Sequence, residues 1–540
     1  MVISNPILTG FHADPSIVRA GNKYYIANST FEWFPGVRLH ESEDLVNWTL
    51  VPSPLSSKRM IDMRGNRSSG GVWAPDLTYS DGYYWLVFND MKTPDGPFRD
   101  GINYLTYSDD IRGPWSDPIA LNRVGFDASL FHDDNGRKYL VQQRWDHREY
   151  HHPFDGIVVT ELDISSMKLI QESQRTIWCG DDAKLVEGPH IYKKDGLYYL
   201  FAAEGGTVYS HREVVARSES LDELSFVGMP DNPLITNFDE PDGYLQKQGH
   251  GALVDTADGE WYYASLCGRP WHHDTESVLD PRGWCTLGRE TSLQKVEWDE
   301  FGWPKIVGGH NGSRYVEAPH GMETVEAVAN HSFHDEFDSS TLGLEWNTLR
   351  VPFDGNMGSV GNGNLVLRGQ GSLCDAFDLS LIAKRWQDFD FDAETCLSFN
   401  PITYQAMAGL TCYYQHEHWS FAFITYDETR KTRVIDVAQN DGGQYTTFMK
   451  DAAVVVPNEI EKVWLRVSVR TQWYAYSYSF NGKDWHEIPV RLDAKVLSDE
   501  YVTKNYGAGF TGAFVGLAAV DCAGYGTEAM YDYFDYKEEV

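Results

Sequence analysis

The chain has 540 residues, 42% hydrophobic and 23% charged, which is more than one hydrophobic core accommodates and points to two soluble globular domains. Its net charge of −34, unbroken by any Lys/Arg cluster, argues against nucleic acid and against a membrane surface as partners. The seven cysteines are odd in number and scattered, without a C-x-x-C pair, so buried free thiols are expected rather than a disulfide framework or a zinc ribbon.

In chain order, the first residues MVISNPILTGFHADPS show neither the basic start nor the apolar core of a secretory leader, and a cytoplasmic location is expected. Five similar units then follow: DPSIVRAGNKYYIA, WAPDLTYSDGYYWLVF, FDASLFHDDNGRKYLV, EGPHIYKKDGLYYLF and HGALVDTADGEWYYASL. Each reads as a hairpin, with a short apolar strand, a Gly/Asp/Asn turn and an aromatic strand. Taking Tyr25, Tyr84, Tyr139, Tyr199 and Tyr263 as equivalent points, the units recur at steps of 59, 55, 60 and 64 residues. The earlier units continue into an edge-like stretch with a Ser/Asp/Leu turn, as in RLHESEDLVNWTLV. Four strands per unit without helical spacers describe the blades of a five-bladed β-propeller, expected over residues 1–314.

Counting back 11 to 13 residues from each tyrosine reaches Asp14, Trp73, Asp127, Glu187 and His250. A position just before an innermost strand points to the mouth of the central channel, where residues distant in sequence converge. Taken singly, each carboxyl at a strand start, near Pro or Gly, reads better as a turn residue bonding its own backbone. Three carboxyls and a histidine at matching points shift that balance toward chemistry.

Two carboxyls flanking one bond are the equipment of glycoside hydrolysis, one protonated to release the leaving oxygen and one ionised to drive attack. A third anion nearby raises the acid's pKa by like-charge repulsion. The shorter Asp14 leaves room for a water, and the longer Glu187 reaches toward the leaving group.

Residues 315–331 lose strand periodicity and read as a linker. From 332 to 540, alternation in LVLRG, FDFDAETCLSF, AGLTCYYQ, SFAFITYD, WLRVSV and WYAYSYSFNGKDW predicts a two-sheet β-sandwich with a hairpin turn at Asn481–Gly482. The chain is thus expected to be all-β.

At the residues singled out above, the sequence resembles glycoside hydrolase family 43, and most closely its β-xylosidases, which join a five-bladed propeller to a lectin-like (concanavalin-like) β-sandwich. The resemblance spans almost the whole chain and rests on GFHADPS, SSGGVWAPD, GFDASLF, VEGPHIY, QGHGALV and LGRETSL. It implies a single inverting displacement with Asp14 as general base, Glu187 as general acid and Asp127 tuning the acid. It also implies that Arg289 touches the sugar and Asp14, that Phe31, Trp73, Phe126 and Trp145 line a short pocket, and that Thr207 contacts the substrate. Phe510, in GAGFTGAFVG, matches a sandwich residue that caps the pocket in those enzymes.

A lone histidine in a Gly-rich segment is more often structural than a ligand, and no second ligand to His250 is evident in the sequence. The resemblance admits a structural calcium near His250, completed largely by waters, and no cofactor is required for the reaction. The doublets His151–His152 and His272–His273 lack the i,i+4 spacing of a helical metal site and read as loop residues bordering the pocket. The resemblance implies a homo-oligomer, dimer or tetramer, acting on xylo-oligosaccharides from xylobiose upward. An α-L-arabinofuranosidase and a non-catalytic sugar-binding propeller are the alternatives.

Overall fold

The aromatic hairpins of the repeat form the inner strands of five antiparallel sheets. In the computed structural model, which describes residues 2–181, 184–273, 282–321, 331–507 and 509–539, the first sheet runs Ala13–Ala20, Lys23–Ser29, Arg38–Ser42, Thr49–Val51. The second runs Gly71–Ser80, Tyr83–Thr93, Asp100–Ser108, Ile119–Asn122. The third is built on Ser129–His132, Lys138–Trp145 and Phe154–Asp163, and the fourth on Val186–Lys194, Leu197–Glu204 and Arg212–Ser218. Both of these end in two short segments pairing the same strand, in place of one edge strand. The fifth runs Gln246–Asp255, Trp261–Gly268, Glu290–Trp298, Pro304–Ile306. First strands of successive sheets neighbour one another around a ring that closes from Gln246–Asp255 back to Ala13–Ala20, which makes the unit a five-bladed propeller.

Each blade is sandwiched between two others, so both faces of its sheet are apolar, and this is why the hairpins read as near-continuous hydrophobic runs. Tyr25 and Tyr84 meet edge-on at 5.5 Å in the core between blades one and two. Tyr139 is buried between blades three and four, and Tyr199 and Tyr263 between four and five. The ring is sealed by the N-terminus: Val2–Ser4 pairs with Tyr315–Glu317, the Ile7 amide donates to the Thr291 carbonyl, and the His12 amide to that of Arg289. The stretch expected as linker therefore opens with a strand at 315–317, which escaped the sequence because three residues set no period. Most of the remainder, 322–330, lies outside the described residues.

The chain divides into Met1–Arg269 with Arg289–Val328, and Pro270–Gly288 with Ala329–Val540. The second unit is a sandwich of two antiparallel sheets. One has Glu528–Glu538 and Asp390–Phe399 at its centre, flanked by Asn364–Arg368 and Val463–Arg470. The other carries Ser380–Arg385, Phe514–Asp521, Ala406–Gln415, His418–Asp427 and Thr432–Asp441 in that spatial order. Trp386, Tyr414, Tyr474, Tyr531 and Tyr536 are buried in the shared core, joined by Trp271 and Trp284 from the 270–288 excursion. Asn481–Gly482 lies in the turn that joins Trp473–Ser479 to the antiparallel His486–Asp493, as expected for a hairpin, with the Asn481 side-chain oxygen accepting from the amides of Lys483 and Asp484. A short helix, Asp499–Tyr506, capped by the Ser498 hydroxyl, interrupts the all-β pattern. The cysteines are free, with Cys267, Cys285, Cys396 and Cys412 buried, but Cys179, Cys374 and Cys522 are exposed, contrary to the expectation that all are buried.

Candidate active site

At a matching point on, or in blade three just before, the innermost strand of each blade a residue adopts a left-handed backbone: Asp14 (φ 50°), Ala74 (φ 27°), Asp127 (φ 51°), Gly188 (φ 57°) and His250 (φ 46°). In all blades but the third this residue sits in a break of the hairpin register. The true fivefold equivalence is therefore 14, 74, 127, 188, 250. Trp73 and Glu187, counted as equivalents from the sequence, stand one residue earlier, because turns of unequal length blur a count by one. In a strand, one residue decides the face. Non-glycine residues held at positive φ cost on the order of 1 kcal/mol each, strain that clusters at functional sites. At Gly188 a side chain is also excluded sterically, since a Cβ would lie 2.7 Å from the His250 ring nitrogen.

Asp14 and Asp127 thus share one backbone geometry and Glu187 projects from another. Asp14 is buried, one carboxylate oxygen accepting from Arg289 Nη1 at 2.7 Å and the other from Ser29 Oγ at 2.6 Å. Ser29 is itself oriented by the Ala74 amide, which donates to its oxygen at 2.8 Å. Burial alone would raise the pKa of Asp14, but Arg289, His250 and the Ser29 hydrogen bond together hold it below the usual aspartate value. Asp127, also buried, accepts from the Gly188 amide at 3.2 Å. Burial and the charges of Glu187 and Asp14 drive Asp127 well above the ordinary range. Burial, reinforced by Asp14 and resisted by Arg99 and Arg289, lifts Glu187 to about 7. Asp127 and Glu187 titrate as a pair that retains a proton at neutral pH.

The aromatic candidates form one chain of ring contacts: Phe31 to Trp73 at 6.2 Å, Trp73 to Phe126 at 5.4 Å, Phe126 to Trp145 at 6.1 Å. Arg289 lies over Phe31 at 5.3 Å. Arg99, which the sequence reading missed, lies over Trp73, Phe126 and Trp145 at 5.7, 5.5 and 4.5 Å. Its Nε is buried and meets no hydrogen-bond partner among the described residues, while its charge acts on Glu187 and Asp127. Nothing in DGPFRDG marks that arginine, which falls between strands and off the repeat. Ser29 was equally silent, an ordinary polar residue at a strand end.

Other expectations are not brought together here. Thr207 is partly buried on the segment after Leu197–Glu204 and makes no side-chain hydrogen bond among the described residues. Phe510 belongs to the second unit. His273 does too, bonded to Asp493 and Gln472 at 3.1 Å each, so it serves the sandwich rather than a pocket border. His250 stands 3.7 Å from Asp14, and burial lowers its pKa to about 4. Among the described residues no three His, Cys, Asp or Glu donors converge on it; the one such group is His331, Asp388 and Glu538 in the second unit. Arg289 beside Asp14 works against a cation there, while His250 lines a small cavity with Asp14, Asp76, Asp127 and His190, where a calcium would be held largely through waters.

Residues 3–304 match the family model of glycosyl hydrolases family 43, and residues 334–537 that of the β-xylosidase C-terminal concanavalin A-like domain. The chain is 46% identical to a protein of Bacillus subtilis (strain 168) named beta-xylosidase, over 100% of both chains. It is 39% identical to xylosidase/arabinosidase 43B of Humicola insolens, over 99% of this chain and 97% of that one. The crystal structure of xylan beta-1,4-xylosidase from Bacillus halodurans C-125 superposes with a TM-score of 0.93 at 44% identity, over 99% of this chain and 100% of that one.

Proposed function

The chain belongs to glycosyl hydrolase family 43, and from that premise we propose that it is an exo-acting, inverting β-1,4-xylosidase releasing xylose from the non-reducing ends of xylo-oligosaccharides. The observation that carries this reading is the opposed electrostatics of its carboxyls. Asp14, clamped by Arg289 and Ser29, is held ionised, while Glu187 in the Asp127 pair is held protonated near neutral pH. These are the two states an inverting hydrolysis needs at once. Asp14 takes a proton from a water as the water attacks the anomeric carbon. Glu187 gives its proton to the glycosidic oxygen as that bond breaks. Asp127 keeps the proton on the pair until it is needed. Arg289 and the rings of Phe31, Trp73 and Phe126 hold the sugar between them. The activities named for the similar proteins support xylose as the sugar and arabinofuranose as a secondary one.

Two measurements test it. An aryl β-xyloside followed by NMR should release α-xylose first, and the chain should cleave it and xylobiose faster than an aryl α-arabinofuranoside. First-formed β-xylose would remove Asp14 from the base role, and a preference for the arabinofuranoside would reverse the order of substrates.

The same carboxyls fix the pH dependence. Activity requires Asp14 ionised, so kcat/KM falls only when pH drops through a pKa below the usual aspartate value. It requires Glu187 protonated, so kcat/KM falls again as pH rises through about 7. A bell with its alkaline limb near 7 is expected. A profile flat to pH 9 would show that the acid lies elsewhere.

A further inference from the structure

Two arginines border the site, Arg289 bonded to Asp14 and Arg99 lying over the rings of Trp73, Phe126 and Trp145, with its charge acting on Glu187 and Asp127. If Glu187 protonates the glycosidic oxygen, the leaving group extends outward on the Arg99 side. There the residue preceding Arg99 in the chain, Phe98, is 59% exposed. That ring is not a loose surface side chain. It stacks on His147 at 4.5 Å and 26°, joining the loop between Tyr83–Thr93 and Asp100–Ser108 to the loop between Lys138–Trp145 and Phe154–Asp163.

Both loops are anchored. The Pro97 carbonyl accepts from Trp145 Nε1 at 2.9 Å, and Arg99 lies over the same indole. In the facing loop, the Asp146 amide donates to the Pro153 carbonyl at 2.8 Å, and the Asp146 carboxylate accepts from the Arg148 amide at 2.9 Å. An exposed ring held from both sides, beside the partly buried Arg99, is a preformed surface for stacking. A pyranose presents the C–H face that such a ring attracts.

We propose that the Phe98–His147 stack is the platform that receives the leaving-group sugar, and so sets the preference for oligosaccharides over small glycosides. This rests on the glycosidase reading and on Glu187 as the acid. The test compares xylobiose with β-xylosyl fluoride, whose leaving atom has no ring to stack. Phe98→Ala should lower kcat/KM on xylobiose about 3- to 10-fold, mostly through KM, and leave the fluoride within twofold. His147→Ala should act in the same direction, and Phe98→Tyr should restore the wild-type ratio. The fluoride rate also reports that each variant is folded. Equal losses on both substrates, or none on xylobiose, would overturn the platform while leaving the parent reading intact. A wild type inert on both would remove the glycosidase reading, and the platform with it.

Discussion

Asp14→Asn is expected to reduce kcat by about 10²–10⁴-fold on xylobiose and on an activated aryl xyloside alike. Both substrates need the water deprotonated, whatever their leaving group, so removing the base cannot be offset by a better one. Asparagine is the informative replacement. It tolerates the left-handed backbone of position 14 better than most residues, and its amide oxygen can still accept from Ser29. It does leave Arg289, 2% exposed, without its anion, and breaking a buried ion pair costs about 3–5 kcal/mol when one charge is stranded. A lower melting temperature should therefore accompany the loss. Steady-state rates on both substrates, beside a melting curve, distinguish the causes. A variant that melts early yet retains more than a tenth of wild-type turnover would make Asp14 a structural partner of Arg289 and not the base.

That such a residue could be found at all reflects how much of the propeller is written locally. Tyr25, Tyr84, Tyr139, Tyr199 and Tyr263 mark the repeat because each must fill the space between two blades, and a hairpin buried on both faces leaves a hydrophobic signature in its own residues. What stayed hidden depends on distant partners or on a single residue of register. The register break at Asp14, Ala74, Gly188 and His250 shifts the strand by one position, less than a count across variable turns resolves. Arg99 owes its position to rings contributed by Trp73, Phe126 and Trp145, and no pattern around residue 99 records them. The segment Pro270–Gly288 leaves blade five and is counted with the sandwich, a long-range choice that tryptophans 271 and 284 suggest only after the fold is known. In the sandwich, strict alternation made the strands legible, whereas the helix at Asp499–Tyr506 is a short run marked at its ends, by the Ser498 cap, Asp499 and Glu500 in the first turn and Gly507 after the last, and not by a periodic apolar face.

Glu187→Gln should separate substrates by leaving group. Xylobiose and alkyl xylosides depart as poor leaving groups and need the proton, so they should lose about 10²–10⁴-fold. An aryl xyloside with an acidic phenol departs with little help and should lose less than about tenfold. The alkaline limb near pH 7 should vanish for the aryl substrate, since glutamine has no proton to lose. Stability should move in the opposite direction, and the sign is fixed by the raised pKa. A glutamate titrating near 4.3 in the unfolded chain and at about 7 in the folded one binds its proton more tightly when folded. It therefore favours the folded state below the unfolded value, and that contribution is lost as pH rises through 7. Glutamine carries no such penalty. The melting temperature of Glu187→Gln relative to wild type should increase between pH 5 and pH 8 and level off above. Equal losses on both substrates would exclude Glu187 as the acid. A melting difference that stays flat with pH would show that its carboxyl is not held protonated in the fold, leaving Asp127 as the group that carries the proton.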